Sequence, residues 1–121
     1  MRSILAYITL TVFVFSCNGN KESRLIGTWT ASAVVQDKRN LKVDLDKIKF
    51  QFENNGTYKF TSTLDYAEAG TFNVEGEKLM TTDTTNTKQT KAVLIQKLDA
   101  DTLKLRMKNE NGWMDLTMLK K

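Results

Sequence analysis

Leu25-Ile26-Gly27-Thr28-Trp29-Thr30-Ala31-Ser32-Ala33-Val34-Val35 is the stretch whose reading decides the fold. Leu25, Gly27, Trp29, Ala31, Ala33 and Val35 are apolar or small, and Thr28, Thr30 and Ser32 fall between them. Successive side chains of an extended backbone point to opposite sides, so this period of two predicts a strand with one buried face. The buried face carries a glycine and, two residues later, a tryptophan. Everything downstream reads as further short strands able to pair in succession and close over that indole.

From Gln36 to Lys47 the alternation lapses, although Leu41, Val43 and Leu45 punctuate the charged residues. Two readings stand for this segment. It is a lid across an open barrel end, or it is a surface loop or short edge strand whose apolar residues tuck against the core. Alternation resumes with Ile48, Phe50 and Phe52 facing one way and Lys49, Gln51 and Glu53 the other. Asn54-Asn55-Gly56 tolerates positive φ and predicts a hairpin. The return strand presents Tyr58, Phe60, Ser62 and Leu64 inward. After a turn at 65–68, Gly70, Phe72 and Val74 continue the inner set. Glu75-Gly76 turns the chain into a strand over 78–82, followed by a polar loop at 83–86. Residues 90–98 are nearly continuous in hydrophobicity, so their inner face is ambiguous and a bulge is expected there. Leu103, Leu105 and Met107 face inward on the next strand, with Lys104, Arg106 and Lys108 outward. On the last, Met114, Leu116 and Met118 oppose Trp113, Asp115 and Thr117.

No stretch holds a helical period of useful length. Eight strands at regular spacing, nearly all joined by hairpin-length turns, indicate an all-β fold in which sequential neighbours pair antiparallel. Closing eight such neighbours removes both edges and gives an up-and-down barrel over residues 25–121. A sandwich of two four-stranded sheets, or a barrel flattened toward one, is the structural alternative.

The first sixteen residues read as an export signal. Arg2 gives a positive start, and Ile4 to Phe15 is an apolar run broken only by threonines. Twelve helical residues span roughly 18 Å, short of a bilayer's hydrocarbon thickness of about 30 Å, which suits a signal-peptide core better than a membrane span. Val14-Phe15-Ser16-Cys17 resembles the lipobox of bacterial lipoproteins. That resemblance implies a lipidated Cys17 as first mature residue and a membrane anchor that does not span. Cys17 is the only cysteine in the 121 residues, so no disulfide is expected in the mature fold. Residues 18–24 are polar and read as a flexible tether. Asn18 is not the aspartate that some Gram-negative sorting systems retain at the inner membrane, which favours the outer membrane of the cell envelope.

Composition excludes several classes. The net charge is +4, close to +3 without Arg2, and the lysines are scattered rather than gathered in a basic stripe interleaved with aromatics. Nucleic-acid binding is therefore not expected. There is no histidine and no proline. Without histidine the chain has no ready general base near neutrality and no imidazole for a metal. The carboxylate pairs Asp65/Glu68 and Asp44/Asp46 fall in connections and read as solvated. No enzyme, metal site or cofactor is expected.

Leu25-Ile-Gly-Thr-Trp29 resembles the Gly-x-Trp signature that opens the first strand of lipocalins. Asn55-Gly-Thr-Tyr58, Ala69-Gly-Thr-Phe72 and the 98–105 segment are similar to small bacterial lipocalin-like lipoproteins. The resemblance implies a barrel whose closed end is plugged by Trp29, with Gly27 permitting close approach. Lipocalins stack a late arginine on this tryptophan. Here Arg106 lies between the inward Leu105 and Met107, so Lys120 or Lys121 is the substitute.

The inner-face residues Phe50, Phe52, Tyr58, Phe60, Leu64, Phe72, Leu105, Met107, Met114 and Met118 are the candidate ligand-binding set. Plain core packing is the competing account of the same residues, which every small barrel needs. Tyr58 and Ser62 carry hydroxyls able to orient a ligand's polar head or to find an internal partner. Two functions follow. One is a membrane-tethered carrier of a small hydrophobic molecule, with an internal void. The other is a filled barrel acting as a protein-interaction module, such as an inhibitor or accessory subunit, with Trp113 and Leu119 forming an exposed patch.

Overall fold

The structure, a computed structural model, describes residues 17–110 and 112–121. The export signal read at 1–16 and the side chain of Cys17 lie outside the described residues.

The strands are β1 (Gly27–Gln36), β2 (Arg39–Asn40), β3 (Lys49–Phe52), β4 (Thr57–Thr61), β5 (Ala67–Glu75), β6 (Lys78–Asp83), β7 (Thr90–Leu98), β8 (Thr102–Asn109) and β9 (Gly112–Lys120). They form one antiparallel sheet in the order β2-β1-β3-β4-β5-β6-β7-β8-β9, and β1 also pairs with β9. That last pairing closes an eight-stranded up-and-down barrel and rules out two separate sheets. β2 is a two-residue ribbon on the rim, paired to Val35 and Gln36.

β1 joins both ends of the meander. Gly27 to Thr30 pair with β3, while Trp29 to Gln36 pair with β9. Ala31 lies opposite Met118 and Ala33 opposite Thr117, which leaves Ser32 as the extra residue of a bulge. The bulge advances the alternation by one, so the inner set runs Trp29, Ala31, Val34 rather than on to Ala33 and Val35. A second bulge at Gln96, between Ile95 and Lys97, settles the ambiguous strand: Val93 and Ile95 face inward.

Two expectations fail. Leu64 is 95% exposed rather than on the inner face. β4 ends at Thr61, and Leu64 and Asp65 both take positive φ (61° and 58°) at a turn closed by Ser62 N–H donating to the Tyr66 carbonyl. Alternation cannot pass through such a turn, and the leucine is thrown outward. The polar residues 18–24 form no loose tether but lie in a helix, α1 (Cys17–Leu25). A nine-residue helix is marginal alone, and contacts with the barrel hold this one. Beyond Thr71 β4 no longer covers β5, and the Glu22 carboxylate accepts the Val74 N–H at 2.7 Å in its place. Lys21 Nζ donates to the Gly76 carbonyl at 2.9 Å, and the Arg24 guanidinium donates to that of Leu98.

Among the described residues, every buried apolar side chain lies between Leu25 and Met118, so the barrel is self-contained. Leu25, Trp29, Leu79, Leu103, Leu105 and Met118 are wholly buried, each such side chain contributing about 1.5–3 kcal/mol. Phe72, Phe52, Phe50, Phe60 and Tyr66 form a chain of ring contacts that leads from this core to the opposite rim.

Candidate functional site: the open end of the barrel

The barrel has two unlike ends. At the closed end Trp29 is fully buried, and its Nε1 donates to the Leu25 carbonyl at 2.8 Å. Lys120 Nζ sits 5.2 Å from the Trp29 ring centre, a cation–π contact in the place expected of an arginine. Gly27, at φ +130°, gives this stem room: a Cβ there would fall 2.7 Å from Lys120 Cε. Gly and Trp of the motif are thus coupled through Lys120. Arg106 is on the outside, ion-paired to Asp115 at 3.2 Å and set against Trp113.

At the other end lies a cavity of about 420 Å³, lined mostly by apolar side chains. Val34, Phe50, Val93 and Leu116 form its buried floor, and Ile48, Phe60, Met107 and Met114 its walls. Leu41 and Val43 stand at the mouth, each 38% exposed, while Leu45 packs against the core. Leu41 N–H donates to the Val34 carbonyl at 2.8 Å, which ties this connection to β1 where β3 no longer reaches. The segment between β2 and β3 therefore supplies one side of the mouth and also tucks a residue into the core.

One wall is polar. Glu68 continues the inner face of Gly70, Phe72 and Val74 and is 8% exposed. Tyr58 Oη donates to its Oε2 and Tyr66 Oη to its Oε1, both at 2.5 Å, and Lys91 Nζ lies 3.5 Å from Oε1. Lys91 pairs with the inward Thr81 and so shares the cavity face, although its side chain is half exposed. Burial, then the bond to Glu68, push the Tyr58 hydroxyl's pKa well above its ordinary value. The Glu68 bond foremost raises that of Tyr66 to about 12. Gly70 matters to this wall, because a Cβ there would lie 1.8 Å from the Thr82 carbonyl and push β6 away.

Asp83, also buried, anchors the loop over this end. Its carboxylate accepts the backbone N–H groups of Thr85, Asn86 and Thr87 and the hydroxyls of Thr85 and Thr87. Those bonds hold its pKa well below the usual carboxylate range.

Of the ten expected ligand-binding residues, Phe50, Phe60, Met107 and Met114 line the cavity. Phe52, Tyr58, Phe72, Leu105 and Met118 are buried below or beside it, and Leu64 is outside. Ser62 lies at the rim, and Tyr58 finds a carboxylate rather than a backbone partner. Glu68, Thr81 and Lys91 escaped the sequence reading. The signal for Glu68 was present, since it keeps the spacing of two with Gly70, Phe72 and Val74. Among the described residues no group of three or more His, Cys, Asp or Glu could hold a metal ion, and no helix is long and apolar enough to cross a membrane.

Comparison with known proteins agrees with this architecture. No curated protein matches the chain. The structure is similar to that of a lipocalin-like protein from Bacteroides uniformis, at 15% identity and a TM-score of 0.64, covering 81% of this chain and 99% of that one. An uncharacterized protein from Bacteroides eggerthii is similar at 13% identity and a TM-score of 0.57, covering 79% and 98%. Residues 25–105 match the model of the lipocalin-like domain, from the Gly-x-Trp strand through the buried pair Leu103 and Leu105. This chain belongs to the lipocalin-like domain family.

Proposed function

We propose that this domain binds a small hydrophobic molecule in the open half of its barrel and serves as a lipid-anchored carrier at the bacterial envelope. The observation that carries the reading is the apolar cavity of about 420 Å³, within the size range of small-ligand sites. The lower half of the barrel is packed solid, which leaves the upper half free to exchange its contents. Partly buried methionines on the wall, Met107 and Met114, suit a pocket that adapts to its guest.

The anchor would be acyl chains on Cys17, holding the protein to the outer membrane without spanning it. Helix α1 is bound to the closed end, through Gly76 and Leu98, so a membrane at Cys17 leaves the mouth facing away from the lipid. The domain would then offer its cargo to the aqueous side. No reaction, metal, cofactor or nucleic acid enters this reading. The alternative, a filled interaction module, draws on Trp113 and Leu119 at 47% and 45% exposure. They lie six residues apart on β9, roughly 20 Å, and Arg106 and Lys108 flank the indole, so they form no continuous apolar patch.

Native mass spectrometry on the chain from Asn18 onward, purified without detergent, tests carriage. A reproducible adduct of one small hydrophobic molecule is expected, lost when Phe60 is replaced by aspartate. A mass that stays bare after incubation with lipids and isoprenoids would reject it. Incorporation of labelled palmitate into the full chain, abolished by Cys17→Ser, tests the anchor.

A further inference from the structure

The polar wall of the cavity has a direction. Tyr58 and Tyr66 both commit their hydroxyl protons to Glu68, so neither has a proton left to donate to a newcomer. Glu68 itself accepts only. It is the one carboxylate among the described residues lining the cavity, and it is more than nine-tenths buried. The cation that faces it, Lys91, makes a long contact at 3.5 Å from a half-exposed side chain. Such an ammonium can withdraw into water at little cost, which leaves a buried carboxylate and the Tyr66 phenol at the side of an apolar chamber, with Tyr58 buried behind them. A second carboxylate, Asp83, acts electrostatically on both tyrosines and adds to the negative field.

We infer that the cavity takes an amphiphile whose polar end is a hydrogen-bond donor, a primary amine above all, seated on Glu68 in the place of Lys91, and that it disfavours carboxylates. The apolar body of such a molecule would lie over Phe50, Val93 and Leu116, with its head at the Glu68 wall. An alcohol can donate one hydrogen bond to the same oxygen and ranks between. A fatty carboxylate would bring like charge against Glu68 in a site of low dielectric, with only a solvent-screened lysine to offset it. This inference rests on the reading of the cavity as a ligand site and names the class of ligand.

The test uses the protein from Cys17 onward, a span whose core closes on itself. N-phenyl-1-naphthylamine, a neutral apolar fluorophore, is loaded first and displaced by dodecylamine, dodecanol or dodecanoate below their micelle concentrations. Dodecylamine is expected to displace the dye at a concentration lower by about tenfold or more than dodecanoate, with dodecanol between. Glu68→Gln, read as the ratio of the two displacing concentrations rather than as dye affinity, should bring amine and carboxylate within about twofold of each other. Lys91→Met, at a half-exposed position that leaves Glu68 in place, should widen the gap, which keeps the inference testable if Glu68→Gln fails to fold. Dodecanoate binding as well as the amine, or a preference that survives Glu68→Gln, would overturn it. Dye uptake without discrimination among the heads sinks the amine preference alone. Failure of the dye and of all three amphiphiles to bind sinks the cavity's role as well.

Discussion

The closed and open ends of this barrel are made from the same strands and the same alternation, yet they do opposite things with it. At the closed end Trp29, Leu25, Leu103 and Met118 fill the space completely, and a helix and a lysine seal it. At the open end Phe60, Met107 and Met114 stop short of filling the space, a carboxylate sits among them, and the chain turns through strained positive-φ residues. Stability is concentrated where the sequence is most regular. The candidate site lies where regularity breaks: at a bulge, at an inward charge, and at a turn that ejects a leucine.

The sharpest test of that division is a pair of truncations. Trp29→Ala removes the largest wholly buried side chain from a sealed environment and should cost about 3–5 kcal/mol. Met107→Ala should cost less than about 1.5 kcal/mol, because the shortened side chain enlarges an existing open cavity rather than creating a sealed void. Urea denaturation of both variants measures the contrast. Equal losses would mean that the open half is packed as tightly in solution as the closed half.

Tyr58→Phe comes next. The ring keeps its place in the core, but Glu68 loses one of the two hydroxyl donors that solvate it inside the barrel. A buried acceptor left short of a partner costs about 1–3 kcal/mol. Denaturation again supplies the measurement. A loss near zero would show that water reaches Glu68 freely, and the wall would then belong to the solvent rather than to the cavity.

The pH dependence of stability bears on the same contrast: Tyr58, Tyr66 and Asp83, at the open end, have displaced titration, while at the closed end the pKa of Asp99 is lowered by the Thr102 N–H it accepts. The folded-state pKa of Tyr66 is raised to about 12, and that of Tyr58 is raised as well. A raised pKa means that folding favours the protonated phenol. This stabilisation is complete below the unfolded value of about 10 and is lost as pH rises through the folded value. Asp83 has the opposite sign. Its depressed pKa stabilises the fold above an unfolded value of about 3.9, and the contribution drains away as pH falls further. Thermal melts are therefore expected to be flat from about pH 5 to 9 and to fall on both sides. Tyr58→Phe should make the alkaline fall shallower, and Asp83→Asn should do the same for the acid one.

How much of this could be read from the chain alone follows from the same physics. The strands over 48–53, 57–61 and 69–82 were legible because their turns carry glycines and asparagines and their inner residues alternate without interruption. The Gly-x-Trp strand was legible only as far as Ala31. A bulge at Ser32 has no signature in a run of small residues, since its cause is the register with β9, where the flanking pairs Ala31–Met118 and Ala33–Thr117 join positions 87 and 84 residues apart. In the sequence Glu68 reads as a solvated turn residue, because a charge at an inward position contradicts burial unless partners are known. Those partners come from β4 and β7, which a local window does not see. The helix at 17–25 was missed for a related reason: its polar sequence has no buried stripe to betray it, and it is held by ionic and hydrogen-bonding side chains on the barrel's closed end.

The smallest effect is the most telling about the open end. Leu64 occupies the left-handed region at the tip of the β4–β5 turn, fully in solvent, where it gains nothing from packing. An ordinary side chain in that conformation costs about 1–2 kcal/mol, and asparagine is among the residues that tolerate it best. Leu64→Asn should therefore raise stability by about 0.5–1 kcal/mol, read as a higher denaturation midpoint with an unchanged slope. Dye uptake by the same variant then distinguishes two accounts of why a strained apolar residue stands beside Ser62 and Tyr66 at the mouth. Unchanged uptake makes Leu64 a tolerated turn residue. Slower uptake at higher stability would mean that the rim spends folding free energy on an apolar foothold for an incoming molecule, the reverse of what Trp29 does at the other end.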